Sequence, residues 1–230
     1  YDVGLYESDE DIGGPLNDYS SEASSLFGNL RIPASLFAGA SAGSAFAMPL
    51  AASEGTKVGI VKRLYALLMI GSLSSQIIAI IVSTIAMAMI AVGEGREETQ
   101  SLSELLDQYY DFEYTTARLS FLSGLIMFST AAGLRAWVSI HCPGIARVAM
   151  GIIASSTVLC LAFVQEVEKG LAGSTNRGNL LCMPLRFVSL LLRKSRRKPL
   201  FALATTLILL TWTNLIVEFP QIVKHLMAGH

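Results

Sequence analysis

The dominant feature of the hydrophobic pattern is Leu64 to Gly93, thirty consecutive residues without a charge, preceded by Lys62 and Arg63 and followed by Glu94. At about 1.5 Å per residue, a helix over this run exceeds the roughly 30 Å hydrocarbon thickness of a bilayer. It predicts a membrane-crossing helix over about 64–92. Further apolar runs predict crossings at about 118–138, 147–165 and 199–217, with Trp137 placed as an interfacial aromatic and Pro199 opening the last. Leu180 to Leu192 is apolar but short, is broken by Pro184 and Arg186, and runs into Arg193, Lys194, Arg196, Arg197 and Lys198. That segment, about 180–194, reads as an interfacial helix whose basic end meets anionic headgroups or an acidic partner. The expected fold is all-α, a polytopic four-span bundle with an interfacial amphipathic helix.

Two units follow from the pattern: residues 1–56, an acidic extended arm and small-residue loop, and residues 57–230, the four-helix transmembrane domain. Residues 1–30 mix Asp, Glu, Ser and Gly with isolated aromatics, too polar to bury a core of their own. They read as a disordered tail or as an arm that orders on a neighbouring subunit. Ile32 to Ala52 lacks charge but is interrupted by Pro33, Gly39, Gly43 and Pro49. It reads as a loop against protein or the lipid surface, with a re-entrant or short spanning piece as the alternative.

Within the first span, Gly71, Ser75, Ala79 and Ser83 recur every four residues and suggest a close-packing face, since small residues let helix backbones approach in lipid. Gln76 is the one amide of this helix and a candidate for hydrogen bonding between helices. In the loop after it, Ser101 or Ser103 is placed to cap a short helix carrying Leu102, Leu105 and Leu106.

Composition agrees with a membrane setting: 52% of residues are hydrophobic and 15% charged, against about a quarter charged in ordinary globular chains. The near-zero net charge conceals segregation. Residues 1–30 hold seven acids and no Lys or Arg, 94–117 hold seven acids against Arg96, and 169–198 hold eight basic residues and no acid. The positive-inside rule puts the basic loop on the cytosol-like face and, with four spans, both termini on the other. Cys142, Cys160 and Cys182 are odd in number and widely spaced, so they define no disulfide framework. The chain starts without Met, and its first twenty residues lack the basic and apolar regions of a targeting peptide.

Candidate chemistry is sparse. No Walker loop, nucleophile elbow, HExxH helix or Cys pair at metal spacing is read in the chain, so no catalytic signature and no metal site are expected. His141, His225 and His230 fall at span ends and provide no paired haem ligands. Basic grooves interleaved with stacking aromatics are absent, which argues against nucleic acid. No charged residue is central in a span, as a pore or proton path would require. The candidate sites are therefore Glu113 with Arg118 as an ion pair, and His141, Gln76 and Asn214 as groups able to ligate or hydrogen-bond a pigment.

Glu113 to Leu122, Glu-Tyr-Thr-Thr-Ala-Arg-Leu-Ser-Phe-Leu, resembles the helix-start motif of chlorophyll-binding light-harvesting proteins, and Arg147 to Gly151 echoes its later part. In that family a Glu and an Arg pair across helices and a ligand two residues before the Arg binds magnesium; here Thr116 stands there, a poor magnesium ligand. Ser44 to Pro49 is similar to the presequence motif of plastid proteins in algae with secondary chloroplasts. Arg63 to Leu68, Asp111 to Tyr114, Arg118 and Phe121 together resemble uncharacterised four-span proteins of diatoms and related algae. The resemblance implies a plastid thylakoid setting, photosystem core or antenna proteins as partners, and chlorophyll, carotenoid or lipid at the interfaces with them. The expected role is a non-enzymatic accessory subunit of a photosystem–light-harvesting supercomplex, bridging core and antenna or stabilising the assembly. The alternatives are a homo-oligomeric tetraspan channel or carrier with Gly71, Ser75 and Ser83 along its path, or a membrane enzyme using Glu113, Arg118 or His141.

Overall fold

The computed structural model describes residues 18–45, 47, 56–93, 101–140, 142–171, 183–196 and 198–228. Among them are seven helices and no strand: α1 (Ser20–Ser44), α2 (Thr56–Val92), α3 (Leu102–Tyr109), α4 (Asp111–Ser139), α5 (Pro143–Leu171), α6 (Met183–Ser195) and α7 (Pro199–Ala228). Three of them are long and apolar enough to cross a membrane: α2 from Val58 to Val92, α4, and α5 from Gly144 to Gln165. The regular structure of the described residues is thus all-helical and consistent with an integral membrane protein.

The largest departure from expectation is α1. Residues placed in an acidic arm and a small-residue loop form one 25-residue helix with Pro33 inside it. Proline removes one backbone donor, leaving the Asn29 carbonyl without its usual partner, but its fixed φ suits a helix. Packing explains why the helix continues. Its buried residues Ala23, Phe27, Ala34, Ser41 and Ala45 lie on one stripe against α2 and α4. Small side chains on that stripe bring the backbones close, which composition alone reads as a loop.

The central helix α2 buries Tyr65, Met69, Ser72, Gln76, Ala79, Ser83, Ala86 and Ile90. Their spacing alternates four and three residues, the repeat that keeps one seam facing a neighbour in a left-handed supercoil. The anticipated stripe at every fourth residue is only partly this seam. Ala79 and Ser83 are fully buried, while Gly71 and Ser75 are half-buried. A step of four advances about 400° around an α-helix and drifts off the face by about 40° each time. Gly71 still has a role, because a Cβ there would lie 2.9 Å from Met127 Sδ on α4.

α1 runs antiparallel to α2 along the whole apolar run. At one end the Tyr65 hydroxyl donates to the Ser44 carbonyl at 2.7 Å, and further along Ser41 meets Ser72. At the other end Phe27 and Ala23 share a cluster with Ala86, Ile90, Leu105, Leu106 and Tyr110. Phe37 of α1 also meets Phe121 and Phe128 of α4 edge-on, with centroids 6.3 and 5.4 Å apart. α1, α2 and α4 thereby form a three-helix core, with α5 packed on α4.

The connections have local causes. α2 ends at Gly93, whose φ of 84° lies in the left-handed region that glycine enters without steric cost. Ser101 caps α3 as anticipated, in extended conformation with Oγ accepting from Glu104 N at 3.2 Å. Leu105 and Leu106 then bury against the Phe27 cluster. Asp111 and Glu113 open α4 where carboxylates favour the positive end of the helix dipole. α4 therefore starts seven residues before the expected span, and these first two turns carry its acids.

Candidate functional site

Two polar constellations stand out against the apolar background. The first is a buried seam midway along α2. Ser72 Oγ donates to the Gly124 carbonyl of α4 at 2.9 Å and lies 3.0 Å from Ser41 Oγ of α1. One turn on, Gln76 Nε2 donates to the Phe121 carbonyl at 3.3 Å. Ser41, Ser72 and Gln76 are all fully buried. Gln76 fits because residue 124 is glycine: a Cβ there would lie 2.5 Å from Gln76 Nε2, 2.9 Å from Cδ and 3.2 Å from Cγ. Among the described residues, three buried polar atoms have no hydrogen-bond partner: Gln76 Oε1, Ser83 Oγ and Thr116 Oγ1.

The second constellation clasps α6 to the acidic end of α4. Arg186 Nη2 donates to Asp111 Oδ1 at 2.5 Å and to Asp107 Oδ1 at 3.1 Å. Lys194 Nζ donates to Glu113 Oε1 at 2.6 Å and lies 3.9 Å from the centroid of Phe112. Phe112 in turn stacks on Phe187 of α6 and meets Phe201 of α7 edge-on. Arg186 and Lys194 of the basic helix thus meet the chain's own acidic segment. In all three ion pairs the cation is about a third exposed, so the clasp is wet and salt-sensitive rather than a dry core.

The expected site residues have separate places. Glu113 sits at the clasp with Lys194, whereas Arg118, 6% exposed, donates to the Tyr114 hydroxyl at 2.7 Å and to the Val164 carbonyl of α5 at 3.1 Å. The two ends of the anticipated ion pair are thus engaged by different groups. Gln76 is the interhelical hydrogen-bonding residue that its isolation suggested, but it faces the bundle interior. Asn214 is exposed on α7, and His141 lies outside the described residues. Thr116, at the position that the light-harvesting resemblance assigns to a magnesium ligand, is buried in the bundle. A chlorophyll held there in the manner of that family does not fit the residues present.

Sequence reasoning missed Ser41 and Gly124 in the seam and the pairing of Arg186 and Lys194 with the acids of α3 and α4. The four-three spacing on α2 was the available signal for the seam. Contrary to the expectation of no nucleophile elbow, Gly39-Ala40-Ser41-Ala42-Gly43 has that form, but the motif needs a strand-to-helix turn exposing its serine. Here Ser41 is in a helix, fully buried and bonded to another hydroxyl. Among the described residues, no three His, Cys, Asp or Glu side chains gather as a metal ion would need. In comparisons with known proteins, no family model, no curated protein and no solved structure matches the chain.

Proposed function

We propose that the chain is a structural subunit of a larger membrane assembly, acting through what it touches rather than through chemistry of its own. In this reading α2, α4 and α5 cross the bilayer and α1 crosses beside α2, whose full apolar run it accompanies. Arg31 lies in the N-terminal half of α1, from where a long side chain reaches toward headgroups. α7, charge-free from Pro199 to Val217, supplies a further crossing, so the proposal has five helices in the membrane where the pattern alone suggested four.

The observation that carries the reading is the isolation of α7. Its principal contacts are with α6, and α6 is in turn held to α4 by the Arg186 and Lys194 clasp. Leu203, Leu207, Leu209, Leu210, Ile216 and Val217 are all more than half exposed on it. Exposed apolar surface is ordinary in lipid, where a helix gains nothing from hydrophobicity by leaving tails for protein. What is not ordinary is a long apolar helix set apart from its bundle on a short ion-paired strut. Such an arm suits a contact with a neighbouring protein, and the α4-facing core supplies the rigid body that holds it.

Within that class, an algal photosystem with its light-harvesting antenna is the proposed setting, in the plastid thylakoid membrane. The support is the likeness of Glu113 to Leu122, Arg63 to Leu68 and Asp111 to Tyr114 to chains of that setting. Chlorophyll, carotenoid or lipid would then fill the space between α7 and its neighbour, with Asn214 exposed on that helix as a hydrogen-bonding group. Gentle solubilisation of the native membrane, native electrophoresis and mass spectrometry of the co-migrating chains tests the proposal. Co-migration with pigmented complexes supports it, whereas a discrete homo-oligomer that conducts ions in liposomes overturns it.

A further inference from the structure

The basic residues of α6 divide into two sets, a division that the linear pattern does not show. Arg186 and Lys194 turn inward to Asp107, Asp111 and Glu113. Arg193, Arg196 and Lys198 are exposed, and among the described residues no acid pairs with them. The helical path continues past Ser195 to carry the last two, since the Arg196 amide donates to the Leu192 carbonyl at 3.2 Å and the Lys198 amide to the Lys194 carbonyl at 3.1 Å. Leu185, Val188 and Leu192, all at least half exposed, follow one another at steps of three and four residues. They share one outward stripe, with Arg196 one turn further along it.

The level of this helix in the membrane follows from its anchors. Ile90, near the end of the charge-free run of α2, packs with Leu105, Leu106 and Tyr110, and Asp111 comes next in the chain. The start of α4 therefore stands where the apolar run of α2 gives out. α6 is tied there near both of its ends, by Arg186 and by Lys194, and the first turn of α7 is there too, with Phe201 against Phe112. Its 13 residues reach about 20 Å, too short to cross the roughly 30 Å hydrocarbon layer. The position is the headgroup boundary, where an amphipathic helix gains from apolar contact and from charge together.

We propose that the outward stripe and basic end of α6 form a docking surface for an anionic lipid bilayer. Arg193, Arg196 and Lys198 pair with the headgroup anions of acidic lipids, while Leu185, Val188 and Leu192 enter the acyl boundary. Charge complementarity sets the sign of the lipid. Asp107, Asp111 and Glu113 are engaged on the inner face, so the three outer cations keep their charge for a partner. An acidic protein segment would match those cations but leave the three apolar side chains in water, whereas a bilayer boundary takes both. The surface rests on the membrane placement of α4 and α7 proposed above and adds a lipid class to it.

The test uses the full chain in phosphatidylcholine vesicles containing phosphatidylglycerol, doped in turn with each lipid carrying the same photoactivatable diazirine on its acyl tail. Crosslinks are mapped by mass spectrometry. A cation near an anionic surface adds about fivefold to association, so the phosphatidylglycerol probe should exceed the phosphatidylcholine probe on Leu185, Val188 and Leu192 by at least about tenfold. Arg193→Gln, Arg196→Gln and Lys198→Gln combined should abolish that preference, and raised salt should weaken it, whereas Arg193→Lys with Arg196→Lys should keep it. Helical circular dichroism and unchanged hydrogen exchange in α4 show that both variants are folded. Resistance to alkaline carbonate extraction is measured alongside: a chain that carbonate strips from the vesicles refutes the crossing helices, while one that resists it and shows no preference refutes the docking surface alone. Equal capture of the two probes on the stripe, a preference that survives the glutamine variant, or phosphatidylglycerol crosslinks spread evenly over Ile152 and Leu207 would each overturn the proposal. So would a photoactivatable amino acid in place of Val188 that captures another polypeptide instead of lipid in the native membrane.

Discussion

Gly124→Ala isolates the role of the buried seam. The added methyl would stand 2.5 Å from Gln76 Nε2 and 2.9 Å from Cδ, closer than unbonded heavy atoms approach, and Cγ at 3.2 Å leaves little room for a small rotation. Gln76 is fully buried, so its amide cannot swing into solvent. Moving it gives up the bond to the Phe121 carbonyl, and Gln76 Oε1 already has no partner. Hydrogen bonds between membrane helices average about 0.6 kcal/mol, and overpacking a filled core costs about 1–3 kcal/mol. Gly124→Ala should therefore destabilise the chain by about 2 kcal/mol, dominated by the steric part. The clash disappears when the side chain does, so Gln76→Ala with Gly124→Ala should be more stable than the sum of the single changes by about 1–2 kcal/mol, a coupling typical of residues in contact. Denaturation in mixed micelles of increasing SDS fraction measures all four corners of this cycle. Additive single effects, or a Gly124→Ala protein as stable as the parent, would refute the claim that glycine is there to seat the amide.

Other expectations follow from the same contacts. Ser72→Ala removes the donor to Gly124 and a contact with Ser41, and should cost about 1 kcal/mol in the same assay, within the range of measured bonds between membrane helices. Tyr65→Phe deletes the hydroxyl that ties α1 to α2 at Ser44, which should speed hydrogen exchange in the last turns of α1 while leaving α4 unchanged. Glu113→Lys should release α6 by placing two cations together. Adding Lys194→Glu should restore the clasp in part, read as protection from protease around 196–198, and raised salt should mimic the single change.

Several elements were legible in the sequence for definite reasons. The thirty charge-free residues from Leu64 to Gly93 leave no soluble alternative of comparable economy, and Ser101 three residues ahead of Glu104 is a local signal that needs no tertiary help. α1 was not legible, because its face is built mostly from Ala and Ser and its sequence holds Pro33, three glycines and Arg31 after the polar first turn. Those residues lower both hydropathy and helix propensity, while the contact that stabilises the helix lies on α2. The seam was half legible: Gln76 announced itself as an isolated amide, but Gly124 gains meaning only once α4 is laid beside α2. The clasp joins residues 75 to 81 positions apart. Segregated acidic and basic stretches were evident, but nothing in the linear pattern says that they meet each other rather than lipid headgroups or another chain.

The account depends most on α2, α4 and α5 crossing the bilayer with α1 alongside. Single cysteines at Ser20, Ala47, Ser101 and Gly144, in a chain with Cys142, Cys160 and Cys182 replaced by serine, test this with a membrane-impermeant maleimide on oriented vesicles. Ser20 and Ser101 should label from one face, and Ala47 and Gly144 from the other. Labelling of all four from the same face would mean that the helices lie on the membrane rather than through it, and would contradict the account.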